Sequence, residues 1–224
     1  MDLNAKTLFT LRLGGHNIGI TDSIVTQWVI MVVIVILVLA LTRNLKKLPD
    51  KKQSVLEMLI DFFNGLVREN MGEKYMSFVP FIGTMGIFLF FLNLTGLVGV
   101  DPSTKDISVT AGFAIISFVV INVNTFSKIG IGGFGKELIS PYILMLPMNL
   151  LEKITLPISL CLRLFCNMLV GFIIIGLIYK GMGYFAFIVP IPFHLFFDMF
   201  DGVIQVYIFM MLTMLYTKMG GELE

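Results

Sequence analysis

The sequence is short of cysteine and of charge. It has only two cysteines, Cys161 and Cys166, which is too few for a disulfide framework, and their spacing is not that of zinc ligands. Charged residues make up 14% of the chain and the net charge is +1, so it lacks the concentrated basic patch that nucleic-acid binding requires. It also contains no phosphate-binding glycine loop, metal-ligand cluster or activated nucleophile. A soluble enzyme and a nucleic-acid-binding protein are therefore disfavoured.

Apolar residues are abundant instead. They make up 57% of the 224 residues, and the mean hydropathy is +0.92, which is far more apolar surface than one soluble core can bury. A membrane helix needs about 20 mostly apolar residues. Runs of 19, 26 and 21 residues without a charged side chain lie within 24–43, 75–100 and 107–128. These runs predict three membrane spans, and the 15 methionines and 21 phenylalanines suit lipid-facing and packing surfaces without any cofactor.

The basic residues predict the orientation of the chain. Segment 44–74 is rich in lysine and arginine and is assigned to the cytoplasmic side, which leaves 1–23 as an external amino-terminal segment. We expect the first span to be retained, because no small-residue cleavage site follows a short apolar region. Within 44–74, five apolar residues recur at helical spacing and predict a helix lying along the membrane surface: Val55, Leu59, Phe62, Phe63 and Leu66. A soluble helical hairpin arm is the alternative.

The second half of the chain places charge inside apolar sequence. A glycine-rich turn at 130–135 is followed by a predicted interfacial helix at 138–148 and by long helices at 149–179 and 184–217. We expect five prolines to kink, break or tilt these helices: Pro141, Pro147, Pro157, Pro190 and Pro192. The carboxyl terminus is then cytoplasmic. The predicted fold is a single transmembrane domain over 1–224: an all-α integral membrane protein with about five spans plus interfacial amphipathic helices.

Arg163 is the most informative residue, because long uncharged runs on both sides keep it from reaching either surface. An arginine at mid-bilayer costs about 2.5 to 3.5 kcal/mol on insertion scales, so it usually serves a function. Its guanidinium stays protonated and can act only as a fixed positive charge. Small or weakly polar residues share its helical face: Ser159, Cys166, Asn167 and Val170. The alternative is a structural arginine that is hydrogen-bonded to a neighbouring helix.

The last long helix carries a predicted polar stripe. Its members recur at positions i, i+4, i+7 and i+11, within about 60° around an ideal helix: His194, Asp198, Asp201 and Gln205. Such a stripe should line water or meet the Arg163 helix rather than face lipid. A buried polar network that only ties two helices together is the alternative, and His194 alone could be a packing residue near the outer interface. Glu152 lies near the cytoplasmic end of its helix, where snorkelling or an ion pair is the default explanation.

Residues 156–168, LPISLCLRLFCNM, resemble the signature of subunit a of F-type ATP synthases. Further similarity lies at 205–213, at Asn93-Leu94, at Pro102-Ser103 with Asp106, at 130–137 and at Asn149-Leu150 with Glu152, so the resemblance covers nearly the whole chain. It implies a non-catalytic subunit that holds two half-channels for protons or sodium ions against a rotating c-subunit ring. The b-subunit peripheral stalk and the remainder of the synthase are the other implied partners. A bacterial plasma membrane is expected, since no transit peptide precedes the first span.

The resemblance also implies roles for single residues. Arg163 matches the essential arginine of the family, and Asn167 and Gln205 match polar positions near it. Asp106 and Glu152 match polar positions toward the two half-channels. Many members carry a carboxylate or histidine where this chain has Phe172, so we hypothesise that Asp198 and Asp201 provide the acidic relay instead.

Two other classes of protein remain as rivals. A self-contained cation channel or secondary transporter would also carry intramembrane charge, although no internal repeat relates the halves of the chain. An intramembrane enzyme would need a serine with a histidine, or paired aspartates on facing helices. Asp198 and Asp201 share one helix, which weakens that second rival.

Overall fold

The computed structural model describes residues 7–13, 16–43, 51–98, 103–139, 144, 146–181 and 190–221. Within these ranges, five helical segments are long and apolar enough to cross a membrane: Asp22–Thr42, Glu73–Leu97, Ile107–Gly130, Leu146–Gly181 and Pro190–Gly220. Every spanning segment is helical, which confirms the predicted all-α membrane fold.

The amino-terminal segment adds a feature that the sequence reading did not anticipate. Strand β1 (Thr7–Leu13) pairs with strand β2 (His16–Thr21) in an antiparallel hairpin. Helix α1 (Asp22–Thr42) follows directly and buries little beyond Ser23 and Ile30. Because the rest of its apolar surface is exposed, α1 faces lipid over most of its length.

Helix α2 (Lys51–Met71) is the predicted surface helix, but its apolar face is divided. Phe63 and Leu66 are buried, as are Val67 and Met71 in its last turns. Val55, Leu59 and Phe62, which were expected on the same face, are exposed, together with Met58. The second half of α2 therefore packs against the helical domain, and its first half leaves apolar side chains uncovered.

Helices α3 (Val79–Leu94), α4 (Ile107–Ile139) and α5 (Leu146–Gly181) surround the core together with the last helix. A 3-10 helix at Glu73–Phe78 leads into α3, and two short ones at Thr95–Val98 and Ser103–Lys105 lie between α3 and α4. Fully buried apolar side chains come from α2, α3, α5 and the last helix: Val67, Leu89, Leu92, Leu164, Phe209 and Met214.

Glycine and proline act differently in α4 and α5. Gly130 interrupts α4 with φ 71° and ψ 174°, a conformation that glycine adopts readily, and it lies where the glycine-rich turn was predicted. Pro157 was expected to kink, break or tilt its helix. Helix α5 continues through Pro157, so this proline does not break it. Of the predicted interfacial helix at 138–148, residues 140–143 and 145 lie outside the described residues, whereas 138–139 end α4 and 146–148 begin α5. At about 1.5 Å per residue, the 36 residues of α5 span about 54 Å, so the helix must tilt or extend beyond a hydrocarbon layer of about 30 Å.

The last spanning segment is built from three consecutive pieces. Helix α6 (Pro190–His194) passes into a π-helix at Leu195–Asp201, and α7 (Gly202–Gly221) completes the span. Near the end of α7, Asn124 donates a hydrogen bond to the Thr217 carbonyl at 2.9 Å, and the Tyr75 hydroxyl donates one to the Lys218 carbonyl at 3.5 Å. These bonds satisfy carbonyls near the helix end and hold α7 against α4 and against the 3-10 helix Glu73–Phe78.

Candidate functional site

Arg163 lies at the middle of α5, about 25 Å from either end of the helix at 1.5 Å per residue. The face of α5 adjacent to Arg163 packs into the protein through Leu156, Leu160, Leu164 and Met168. Arg163 is half-buried, and among the described residues it has no hydrogen bond or ion pair. Within the described residues, this permanent positive charge at mid-span therefore has no carboxylate paired with it.

The face of α5 around Arg163 is open. Ser159, Cys166 and Val170 are exposed, and Asn167 is half-buried. Ser159 makes no hydrogen bond to another described residue. The strip of small, weakly polar side chains is thus available to a partner outside this chain.

Asn167 connects the Arg163 helix to the last span. Its amide donates a hydrogen bond to the Gln205 side-chain oxygen at 2.7 Å. Gln205 is only 2% exposed, and its own amide nitrogen has no hydrogen-bond partner in the described part of the chain. A buried amide without an acceptor carries a desolvation penalty of about 1 to 3 kcal/mol, which is unusual outside functional sites. The structure therefore brings together two of the residues that the sequence placed near Arg163.

His194 and Asp198 form the second polar contact of the site. The imidazole Nδ1 lies 2.7 Å from an Asp198 carboxylate oxygen, and the Tyr179 hydroxyl of α5 lies 3.4 Å from Nε2. The exposed fraction decreases from the first to the last of these three side chains: Tyr179 is 50% exposed, His194 is half-buried and Asp198 is 7% exposed. Phenol, imidazole and carboxyl groups can each give and take a proton, so the three form a continuous path from the surface inward.

The π-helix corrects the predicted stripe. The prediction assumed one straight α-helix, which is wrong for 195–201. A π-helix bonds i to i+5 and turns less per residue, so later side chains are rotated from their ideal positions. His194 and Asp198 remain paired, and Gln205 meets Asn167. Asp201 is half-buried and bonds to none of the described side chains.

Phe172 occupies the position where the family resemblance led us to expect a carboxylate or histidine. The Lys105 ammonium lies 4.5 Å from the centroid of its ring, which is a cation–π distance. One residue earlier, Gly171 faces the π-helix, where an added Cβ would make an ordinary van der Waals contact with Phe197 at 3.4 Å. The α5 side of this contact therefore carries an aromatic ring at Phe172, whereas the π-helix carries the carboxylate of Asp198.

The remaining predicted residues lie apart from this centre. Asp106 accepts a hydrogen bond from the Ser23 hydroxyl at 2.7 Å and borders a cleft of about 540 Å³ between α1 and α4. Glu152 is exposed near the start of α5 and has no bonded partner within the described ranges. The described residues contain no cluster of three metal-ligating side chains.

Tyr179 was missed by sequence reasoning. An exposed tyrosine near a helix end is common at membrane interfaces, and nothing in the sequence spacing links it to His194. Only the packing of α5 against α6 brings the two side chains together.

A five-span helical protein with an unpaired cation at mid-span and a graded chain of titratable groups is an ion-translocating membrane protein. Residues 24–218 match the family described as ATP synthase A chain. This chain belongs to that family: it is a subunit a of an ATP synthase. It is a non-catalytic, multi-pass membrane component that couples ion translocation in the Fo sector to ATP synthesis, as part of the synthase complex.

Individual relatives support the same assignment. The sodium-ion-specific ATP synthase subunit a of Propionigenium modestum is 30% identical over 221 residues, covering 92% of this chain and 75% of that protein. ATP synthase subunit a of Moorella thermoacetica is 32% identical over 200 residues, covering 89% and 90%. ATP synthase subunit a 2 of a Bradyrhizobium species is 35% identical over 197 residues, covering 88% and 86%.

The Asn167–Gln205 bond predicts energetic coupling between α5 and α7. We expect Asn167→Ala and Gln205→Ala to be non-additive in the free energy of unfolding of the purified chain, by about 0.6 to 1.7 kcal/mol, the range measured for hydrogen bonds between membrane helices. Asn122→Ala is the matched control, because Asn122 bonds to Phe118 in its own helix and should add independently to Gln205→Ala. Additive effects of Asn167→Ala and Gln205→Ala would contradict the bond.

Proposed function

We propose that Arg163 is the fixed charge past which the ion-binding carboxylates of a rotating c-subunit ring move. An ionised ring carboxylate is attracted to the guanidinium, which favours release of its ion and blocks direct leakage between two half-channels. The observation that supports this role is that Arg163 has no anionic partner among the described residues. A charge buried in lipid without a partner is expensive, and a carboxylate arriving from outside the chain removes that cost.

The open strip of α5 supports the same partner. Ser159, Cys166 and Asn167 are small side chains on the Arg163 face, so another helix can come close to the guanidinium. The half-buried Asn167 amide, which bonds to Gln205, adds a hydrogen-bonding group beside the guanidinium on this face. Together they form a docking strip that is positive and hydrogen-bonding at its centre and apolar around it.

The outer half-channel passes through Tyr179, His194 and Asp198 in this proposal. Lysine and arginine counts place the turn between α5 and α6 on the outer side, where Tyr179 is exposed. Asp198 is the relay carboxylate, because it is buried and bonded to His194. Asp201 has no such connection and contributes less. Asp106 lies toward the same outer side, and Glu152 toward the inner half-channel.

The proposed setting is a bacterial plasma membrane. The amino terminus is outside and the carboxyl terminus cytoplasmic, which places ten of the sixteen basic residues inside, four outside and two in the membrane. The uncovered apolar side chains of α2, including Val55, Met58 and Phe62, then lie at the cytoplasmic surface. The c ring, the b-subunit peripheral stalk and the rest of the synthase are the partners, and the ion is a proton or a sodium ion.

A self-contained channel or transporter is the competing reading, and it differs in one respect. Such a protein should conduct ions without a partner, whereas the proposed function requires the ring carboxylate to complete the site at Arg163. Conduction by the purified chain alone in vesicles would favour the rival.

Arg163→Ala is expected to abolish ATP-driven ion uptake in vesicles containing the whole synthase, and to raise passive ion leak through the membrane sector. The reason is that the fixed charge both drives ion release and separates the half-channels. Arg68→Ala is the matched control, since Arg68 lies in α2, outside the five spanning segments, and its exposed side chain pairs with the exposed Glu73. Normal uptake by Arg163→Ala would refute the proposed role.

Asp198→Asn and Asp201→Asn separate the two candidate relay carboxylates. We expect Asp198→Asn to reduce ATP-driven uptake by at least about tenfold, because a positioned proton-transfer group typically contributes about 100-fold or more. Asp201→Asn should reduce it by less than about threefold. The double variant should resemble Asp198→Asn alone. Unchanged uptake by the double variant would remove both carboxylates from the path.

A further inference from the structure

Gly96 lies directly against the Asp198 carboxylate. It belongs to the 3-10 helix Thr95–Val98 that follows α3. An ideal Cβ on Gly96 would lie 2.7 Å from Cγ and from both carboxylate oxygens of Asp198, and real Cβ atoms essentially never come within 3.0 Å of another heavy atom. The face of the carboxylate is thus in contact with backbone, and any side chain at position 96 would displace it.

The Asp198 carboxylate has little freedom to move away. Its residue is 7% exposed, and one oxygen is held by His194 Nδ1 at 2.7 Å. Aspartate has a single methylene between backbone and carboxyl, so a shift that clears a Cβ must change the χ1 rotamer or move the helix. Either change breaks or lengthens the bond to His194.

A second glycine prevents the two elements from separating. One turn further along the last span, a Cβ on Gly202 would lie 3.2 Å from the Asn93 Cβ. The buried Asn93 amide donates a hydrogen bond to the Gly202 carbonyl at 3.3 Å. Gly96, which follows α3, therefore faces Asp198 of the last span, and Gly202 of the last span faces Asn93 of α3. The close approach at Gly202 fixes the distance between these two elements at Gly96.

We propose that Gly96 is a positioning residue for ion translocation: the absence of a side chain there keeps the Asp198 carboxylate on His194. This inference rests on the relay role proposed for Asp198. The 2.7 Å distance from a Cβ on Gly96 also implies that a side chain at position 96 can reach the place now occupied by the Asp198 carboxylate. An aspartate at position 96 would extend into the volume that Asp198 fills.

Gly96→Ala in the complete synthase is the first test. We expect ATP-driven ion uptake to fall by at least about tenfold, since a misplacement of about 1 Å at a reacting group can cost 100-fold. Gly112→Ala is the matched control in another spanning helix, because a Cβ built on Gly112 has no described atom within 4 Å apart from its chain neighbours and its own helix backbone. The amount of the chain in the purified complex reports assembly separately from transport. An assembled Gly96→Ala complex with control-level uptake would overturn the proposal.

The exchange variant Gly96→Asp with Asp198→Ala tests position independently of packing. This double variant removes the carboxylate at position 198 of the π-helix and adds one at position 96 of the 3-10 helix. The small methyl group of alanine at position 198 leaves room for the new carboxylate. We expect uptake at least about fivefold above that of Asp198→Ala alone, because the restored group again reaches His194. An exchange variant no better than Asp198→Ala would overturn the proposal, whether or not Gly96→Ala assembles.

The same series separates this inference from the function on which it rests. If Asp198→Ala alone transports normally, the relay role of Asp198 is wrong and the positioning role falls with it. If Asp198→Ala is defective and the exchange does not restore uptake, the relay role stands and only the role of Gly96 fails.

Discussion

The structure depends on one constraint: a permanent charge in the membrane interior must be stabilised by an opposite charge or a polar partner. Arg163 cannot lose its proton and cannot reach either membrane surface from the middle of α5. Within the described ranges it has no anion beside it, whereas the carboxylate of Asp198 is already bonded to His194. The described part of the chain therefore leaves the charge of Arg163 unpaired. The small side chains of the surrounding strip leave space for a partner to supply the missing negative charge.

The π-helix at Leu195–Asp201 separates two polar contacts of the last span. At its start, His194 and Asp198 bond to each other, and His194 also contacts Tyr179. After it, Gln205 accepts a hydrogen bond from Asn167 on the Arg163 helix. A straight helix would have placed these groups on one continuous line. The change in helix type keeps the two contacts apart, which suits the two separate half-channels that we propose.

Much of this could be predicted from the sequence because hydrophobic length and charge placement are local properties. The charge-free runs indicated the spans, and the distance of Arg163 from any other charge indicated its depth. The division of α2, the π-helix and the Tyr179–His194 contact could not be predicted in the same way. Each depends on which distant segments pack together: Phe63 and Met71 are buried only because the helical domain covers that half of α2. The contact of Gly96 with Asp198 likewise joins residues about a hundred positions apart, and no spacing rule detects it.

The two native cysteines allow the central claim to be measured directly. Cys166 is exposed one turn after Arg163, while Cys161 is half-buried, with its sulfur 3.6 Å from the Thr110 hydroxyl. A single cysteine placed one turn from the ion-binding carboxylate of the c subunit can be oxidised against each of them in membranes, using Cys161→Ala and Cys166→Ala variants. Rapid disulfide formation that requires Cys166 and not Cys161 is the result that the account predicts. Disulfide formation through Cys161 alone, or through neither cysteine, would contradict the approach of an acidic partner to the Arg163 face.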